Sequence, residues 1–121
     1  MRGSVEERIA TARWTLSALR VVRSRLAELG LDAASAPPAP VVRASAEKTM
    51  LHTLRLSRET CLVKSLVRQA WYLAHGDERD LVIGITVPAE DFEAHAWLEG
   101  DDVDEVDGFT ELVRRRPRAA L

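Results

Sequence analysis

A single cysteine, Cys61, occurs in the 121 residues of the chain. One thiol closes no internal disulfide, which excludes the stapled scaffolds of small secreted domains and agrees with a reducing compartment, so a cytoplasmic protein is expected. Long apolar runs are also missing. None approaches the roughly 20 residues of a membrane helix, and the N-terminal MRGSVEERIA carries charges where a signal peptide has its apolar core, so no membrane association is expected. Neither sign of charge is in excess: 17 basic against 19 acidic side chains leave a net charge of −2 and no electrostatic footprint for nucleic acid. The 6 glycines are too scattered to cradle a phosphate, and there is no Walker loop, dinucleotide fingerprint or internal repeat. Cys61, His52, His75 and His95 match no zinc spacing, so neither a metal nor a cofactor is expected.

What is present is the composition of an ordinary globular domain, 46% hydrophobic and 30% charged, of a length that suits one core. Apolar residues at Val5, Ile9, Ala12, Leu16, Leu19, Val22, Leu26 and Leu29 alternate steps of three and four and predict an amphipathic helix ended by Gly30. LDAASAPPAP, from Leu31 to Pro40, cannot continue it and reads as an extended connection. Val42, Ala46, Met50 and Leu54 predict a second helix, with His52 an ordinary surface residue off its stripe. Thr60 is a good N-cap for a third, TCLVKSLVRQAWYL, which is apolar on most sides and stops where His75 precedes Gly76.

Beyond this point the period changes. Leu81 to Val87 is a β-branched run that reads as a buried strand, with Gly84 leaving room for the close approach of another backbone or a substrate. Phe92 to Glu99 predicts an antiparallel partner, with Phe92, Ala94, Ala96 and Leu98 on one face and Glu93, His95, Trp97 and Glu99 on the other. The two alanines beside His95 would let a helix pack closely behind. In the acidic GDDVDEVDG that follows, Val103 and Val106 suggest a short third strand, and RRRPRAAL reads as a frayed basic tail. The expected organisation is an amphipathic helix over 1–30, a Pro/Ala-rich linker over 31–42, a core over 43–113 and a tail over 114–121.

Cysteine catalysis needs a thiolate, a histidine within reach, and an acceptor that fixes the imidazole tautomer. Cys61 at a helix N-terminus, where backbone N–H groups and the helix dipole favour the thiolate, meets the first requirement, and His95 on the adjoining sheet meets the second. The third falls to the acidic segment, at Asp107, Asp104 or Asp102. The Cys61 backbone N–H is a natural oxyanion donor, and Trp97, on the His95 face, would wall the site. Two other readings stay open: an acyltransferase in which an amine replaces water, and a non-catalytic module that docks a partner through the N-terminal helix while Cys61 is merely buried.

The blocks Cys61-Leu62-Val63-Lys64-Ser65-Leu66-Val67, Leu81-Val82-Ile83-Gly84-Ile85 and Ala94-His95-Ala96-Trp97-Leu98-Glu99, in that order, resemble the transglutaminase-like leader peptidases of lasso peptide biosynthesis. The resemblance covers roughly Ala44 to Leu112. It implies an α+β fold with a papain/transglutaminase-like core, in which N-terminal helices pack with a small antiparallel sheet. It also implies a cysteine endopeptidase that removes the leader from a precursor peptide, with Cys61 as nucleophile, His95 as base and, by register, Asp107 as the third member. A separate leader-recognition protein would then bind the leader, and an asparagine-synthetase-like cyclase would consume the product.

Overall fold

The computed structural model describes residues 2–86, 93–102 and 108–118. Within them three helices, α1 (Arg2–Leu29), α2 (Glu47–Leu56) and α3 (Cys61–Ala74), precede strands β1 (Leu81–Thr86), β2 (Ala94–Leu98) and β3 (Phe109–Arg115). All strand pairings are antiparallel and the sheet order is β2-β1-β3. No helix among the described residues is long and apolar enough to cross a membrane.

α3 is the central element. Val63, Leu66, Val67, Trp71 and Tyr72 are all buried, against α1 and α2 on one side and Leu81, Ala96 and Leu98 of the sheet on the other. Its start follows from Thr60, whose extended backbone lets Oγ1 accept the Val63 N–H at 3.3 Å while its carbonyl accepts that of Lys64 at 3.0 Å. At its end Gly76 takes a φ of 81°, a conformation that costs glycine little, and the chain turns out of the helix.

α1 forms as its periodicity predicts but buries a different stripe. Thr11, Thr15, Ala18, Leu19 and Val22 face inward, whereas Val5, Ile9, Leu16 and Leu29 are 52–65% exposed. Small side chains on the inner seam let the helix axis come close to its neighbours, and Trp14 supplies the bulk by tilting onto Trp71 at 5.9 Å. α2 begins at Glu47, after a single 3-10 turn over Ala44–Ala46, and buries Ala46, Met50 and Leu54 as expected.

The Pro/Ala-rich connection packs against the core along much of its length. A 3-10 turn occupies Leu31–Ala33, and Ala34, Ala36 and Ala39 are buried. Carbonyls that the backbone leaves unpaired are taken up by side chains, Pro37 O by Trp14 Nε1 at 3.2 Å and Ser35 O by Arg25, and Leu31 O, which accepts the Ala34 N–H, also meets Arg115.

The third strand differs from expectation. Val103 and Val106 lie outside the described residues, and the observed β3 starts at Phe109 and pairs with β1, so that β2 remains an edge strand among the described residues. Arg114 and Arg115, expected in the tail, complete β3. Arg114 reaches Glu99 and Glu111, each at 2.8 Å, and Asp80 at 3.3 Å, and these carboxylates raise its pKa. Arg115 turns inward, where burial lowers its pKa and its guanidinium meets Leu31 O and the Ser35 hydroxyl. Basic residues are thus accommodated in a strand because each finds acceptors on a neighbouring segment.

Candidate active site

Cys61 and His95 line the same open cavity, of about 450 Å³. Its walls come from α2 (Leu51, Leu54, Arg55), the first turns of α3 (Cys61, Lys64, Ser65, Arg68), β2 (His95, Ala96, Trp97) and the following turn (Asp101). The cavity lies beside the edge of β2 that no other described strand pairs with, which explains how residues from both faces of that strand line it. Ala96 belongs to the face covered by α3, and His95 and Trp97 to the other. Buried Ser65 ties the helix to this edge by donating its hydroxyl to Ala96 O at 3.2 Å. Cys61 is half-buried, and as the first residue of α3 its N–H, like that of Leu62, has no intrahelical acceptor.

Lys64, Ser65 and Arg68 follow Cys61 at helical spacing and form the polar side of α3. Arg68 holds Asp101 through two hydrogen bonds, 2.9 and 2.5 Å, and Asp101 also accepts the Leu98 N–H at 2.9 Å. For both ions burial is the largest single influence and opposes charge. The pairing outweighs it. Asp101 is held below the usual carboxylate range by its hydrogen bonds and the Arg68 charge, and the Arg68 pKa is raised. Gly100, with a φ of 93°, makes the turn that brings Asp101 back under Leu98. The thiol wall and the His95 strand are therefore clamped together at a second point.

The imidazole is held from the opposite side by aromatic rings. His95 stacks on Trp97 with centroids 5.8 Å apart and meets Phe109 of β3 at 5.4 Å, while Trp97 and Phe109 approach to 6.0 Å. These three rings meet over Gly84, the β1 residue directly opposite His95. A Cβ there would stand 2.7 Å from Trp97 Cη2 and 3.0 Å from Thr110 O. The space left by Gly84 is thus occupied by the Trp97 ring, with a β3 carbonyl closing it from the other side.

The remaining expected residues are placed as follows. Asp107 and Asp104 lie outside the described residues, and Asp102 is exposed in the turn after β2. His52 is exposed on α2. His75 sits at the far end of α3, about 20 Å from Cys61 by helix rise. There it accepts the Val42 N–H through Nε2 at 3.2 Å, with Nδ1 2.7 Å from Trp71 O and its ring stacked on Trp71. Asp101, Arg68, Ser65 and Arg55 were not expected at the site. A signal for two of them was present, since Ser65 and Arg68 fall on the Cys61 face of an otherwise apolar helix; the Asp101 contact depends on the turn after β2.

The family model for the transglutaminase-like superfamily matches residues 5–115. The chain belongs to this superfamily. Members include cysteine peptidases and acyltransferases, and the described architecture is the corresponding α+β arrangement of helices and a small antiparallel sheet. The match takes in α1 and β3 as well as the Cys61 helix and the His95 strand, so a transglutaminase-like domain extends over nearly all of the chain. No curated protein and no solved structure matches it.

Proposed function

We propose that this transglutaminase-like protein is a cytoplasmic cysteine endopeptidase that removes the leader from a lasso precursor peptide. It would act with a separate leader-recognition protein and upstream of an asparagine-synthetase-like cyclase. The observation that carries the reading is the shared cavity of Cys61, at a helix N-terminus, and His95, on the neighbouring edge strand. The ordered sequence blocks around Cys61, Gly84 and His95 support the narrower assignment within the superfamily.

In this mechanism His95 takes the Cys61 proton, and the thiolate attacks the carbonyl carbon at the leader–core junction. Negative charge on the tetrahedral oxygen is met by the Cys61 N–H and the positive end of α3. His95 returns the proton to the departing amine, and water, deprotonated by the same imidazole, then releases the leader from the thioester. Trp97 walls the cavity beside the imidazole and excludes water from one side of it. Asp107 is the proposed orienting acid. Support for it comes from β3, which begins two residues later at Phe109, a residue whose ring meets His95.

Cleavage of the precursor, followed by mass spectrometry in the presence of the recognition protein, tests the reading. Cys61→Ala and His95→Ala should each abolish product with the fold intact, and full activity in either overturns it. Asp107→Asn should slow cleavage at least about a hundredfold, and an equal loss in Asp104→Asn or Asp102→Asn instead would reassign the third member. Incorporation of an added amine in place of hydrolysis would identify an acyltransferase.

A further inference from the structure

We propose that the Cys61 cavity is one end of a longer basic groove that takes an extended, acidic segment of the peptide substrate. This rests on the peptidase reading and adds to it the chemical class of the substrate.

A second open cavity, of about 620 Å³, lies between α1 and α2 and is lined by Arg8, Ser45, Lys48, Thr49, Leu51, His52 and Arg55. Leu51 and Arg55 also line the thiol cavity, so the two join along α2. Lys48, Leu51 and Arg55 lie on one face of that helix, with Lys48 and Arg55 about two turns, or ~10 Å, apart. Lys64 continues the row on α3, and Arg8 faces it from α1.

These cations differ from six others in the chain. Arg23, Arg43, Arg68, Arg79, Arg114 and Arg116 each have a carboxylate partner, whereas Arg8, Lys48, Arg55 and Lys64 have none among the described residues. Among the described residues the second cavity has no acid in its lining, and the single acid of the first, Asp101, is already held by Arg68. In a protein of net charge −2 the two linings together thus carry Arg8, Lys48, Arg55, Lys64 and Arg68 against Asp101 alone among the described residues.

An extended peptide fits the spacing. Alternate side chains of a strand point the same way about 7 Å apart, so acids at alternate positions all face one wall of the groove, where the long side chains of Lys48, Arg55 and Lys64 can reach them. A polynucleotide fits less well: the described lining of the second cavity has no Trp, Tyr or Phe for base stacking, and a nucleotide brings no acyl carbon to Cys61. Each exposed ion pair contributes little, so preference would come from the row and weaken with salt.

Full-length Cys61→Ala protein, which cannot turn over, provides the test. Two fluorescein-labelled Gly/Ser peptides, one with glutamate at alternate positions and one with glutamine there, are compared by fluorescence anisotropy at low salt. The glutamate peptide should bind about tenfold more tightly, and Lys48→Glu with Arg55→Glu should abolish the difference. Arg8→Glu, on a different helix, should weaken glutamate-peptide binding about fivefold and guards against a folding defect in the double variant. Equal binding of the two peptides, or a preference that survives the double reversal, overturns the proposal. Equally tight binding of a labelled oligothymidylate of the same charge also overturns it, by showing a general polyanion surface. Iodoacetamide labelling and precursor cleavage by the unmodified protein report on the thiol chemistry separately. An acid preference without cleavage removes the peptidase reading, and cleavage without an acid preference removes only the groove.

Discussion

α3 buries Val63, Leu66, Val67 and Trp71 to 3% exposure or less, whereas α1 leaves Val5, Ile9 and Leu16 more than half exposed and faces the core with Thr11, Thr15 and Ala18. One helix is held by apolar volume and the other by closeness of approach. In α1 the inner hydroxyls are handled locally: Thr15 donates to Thr11 O at 2.8 Å, as a threonine does along a helix, while Thr11 Oγ1 has no partner among the described residues. The contrast separates tasks. α3 carries Cys61 beside β2, while α1 closes one side of the core and contributes Arg8 to the proposed groove.

The largest effect expected from this contrast is on stability. Trp71→Ala should cost about 3–5 kcal/mol in urea unfolding, as for other large buried aromatics, and Leu16→Ala should stay within about 0.5 kcal/mol of the parent. A comparable loss in Leu16→Ala would mean that the outer face of α1 is covered and would erase the distinction. Next comes the ionic clamp on α3. Asp101→Asn should cost about 2 kcal/mol near neutral pH, since it removes charge from hydrogen bonds to Arg68 and Leu98.

That loss has a pH signature. The folded carboxyl of Asp101 titrates below its unfolded value of about 3.9. Its contribution is complete above that value and disappears as pH falls through the lower folded one. Unfolding free energies of the parent and Asp101→Asn should therefore run parallel from neutral pH to about pH 4 and converge below it. Failure to converge would place the effect in packing.

Smaller still is the helix cap. Thr60→Ala should cost about 1 kcal/mol through the lost acceptor for the Val63 N–H, and calorimetry is sensitive enough to see it. The smallest expected change has the opposite sign. Thr11→Val should stabilise by about 0.5 kcal/mol, because it replaces a buried, unpartnered hydroxyl with a methyl group. A loss of stability there would show that the α1 seam depends on the hydroxyl.

The same contrast explains what was legible before the structure. α3 could be placed to the residue because its signals are local: a threonine cap, a helical run and a glycine stop. α1 was legible as a helix but not in its orientation, since a period of three and four establishes an apolar stripe without saying whether neighbours need bulk or closeness there. Cys61, His95 and Trp97 could be named from their types and positions, and they do line one cavity. Asp101 could not, and Arg68 could be placed on the Cys61 face but not given its partner, because their pairing arises only when the turn after β2 folds back on α3. β3 was obscured by its charge: Arg114 and Arg115 look like tail until Asp80, Glu99, Ser35 and Leu31 are brought beside them.

Gly84 links assembly of the sheet to the chemistry proposed at its edge. Sliding β2 along β1 by two residues, the smallest slip that keeps the same side chains facing α3, would place Val82 or Thr86 under Trp97 instead of Gly84. Neither leaves the space the ring occupies, because a Cβ at this position would already overlap it. The misregistered sheet would have to expel Trp97, and His95 would lose the ring it stacks against. Gly84 thus acts as a keyhole for strand alignment, and the residue that detects a wrong alignment is the neighbour of the imidazole.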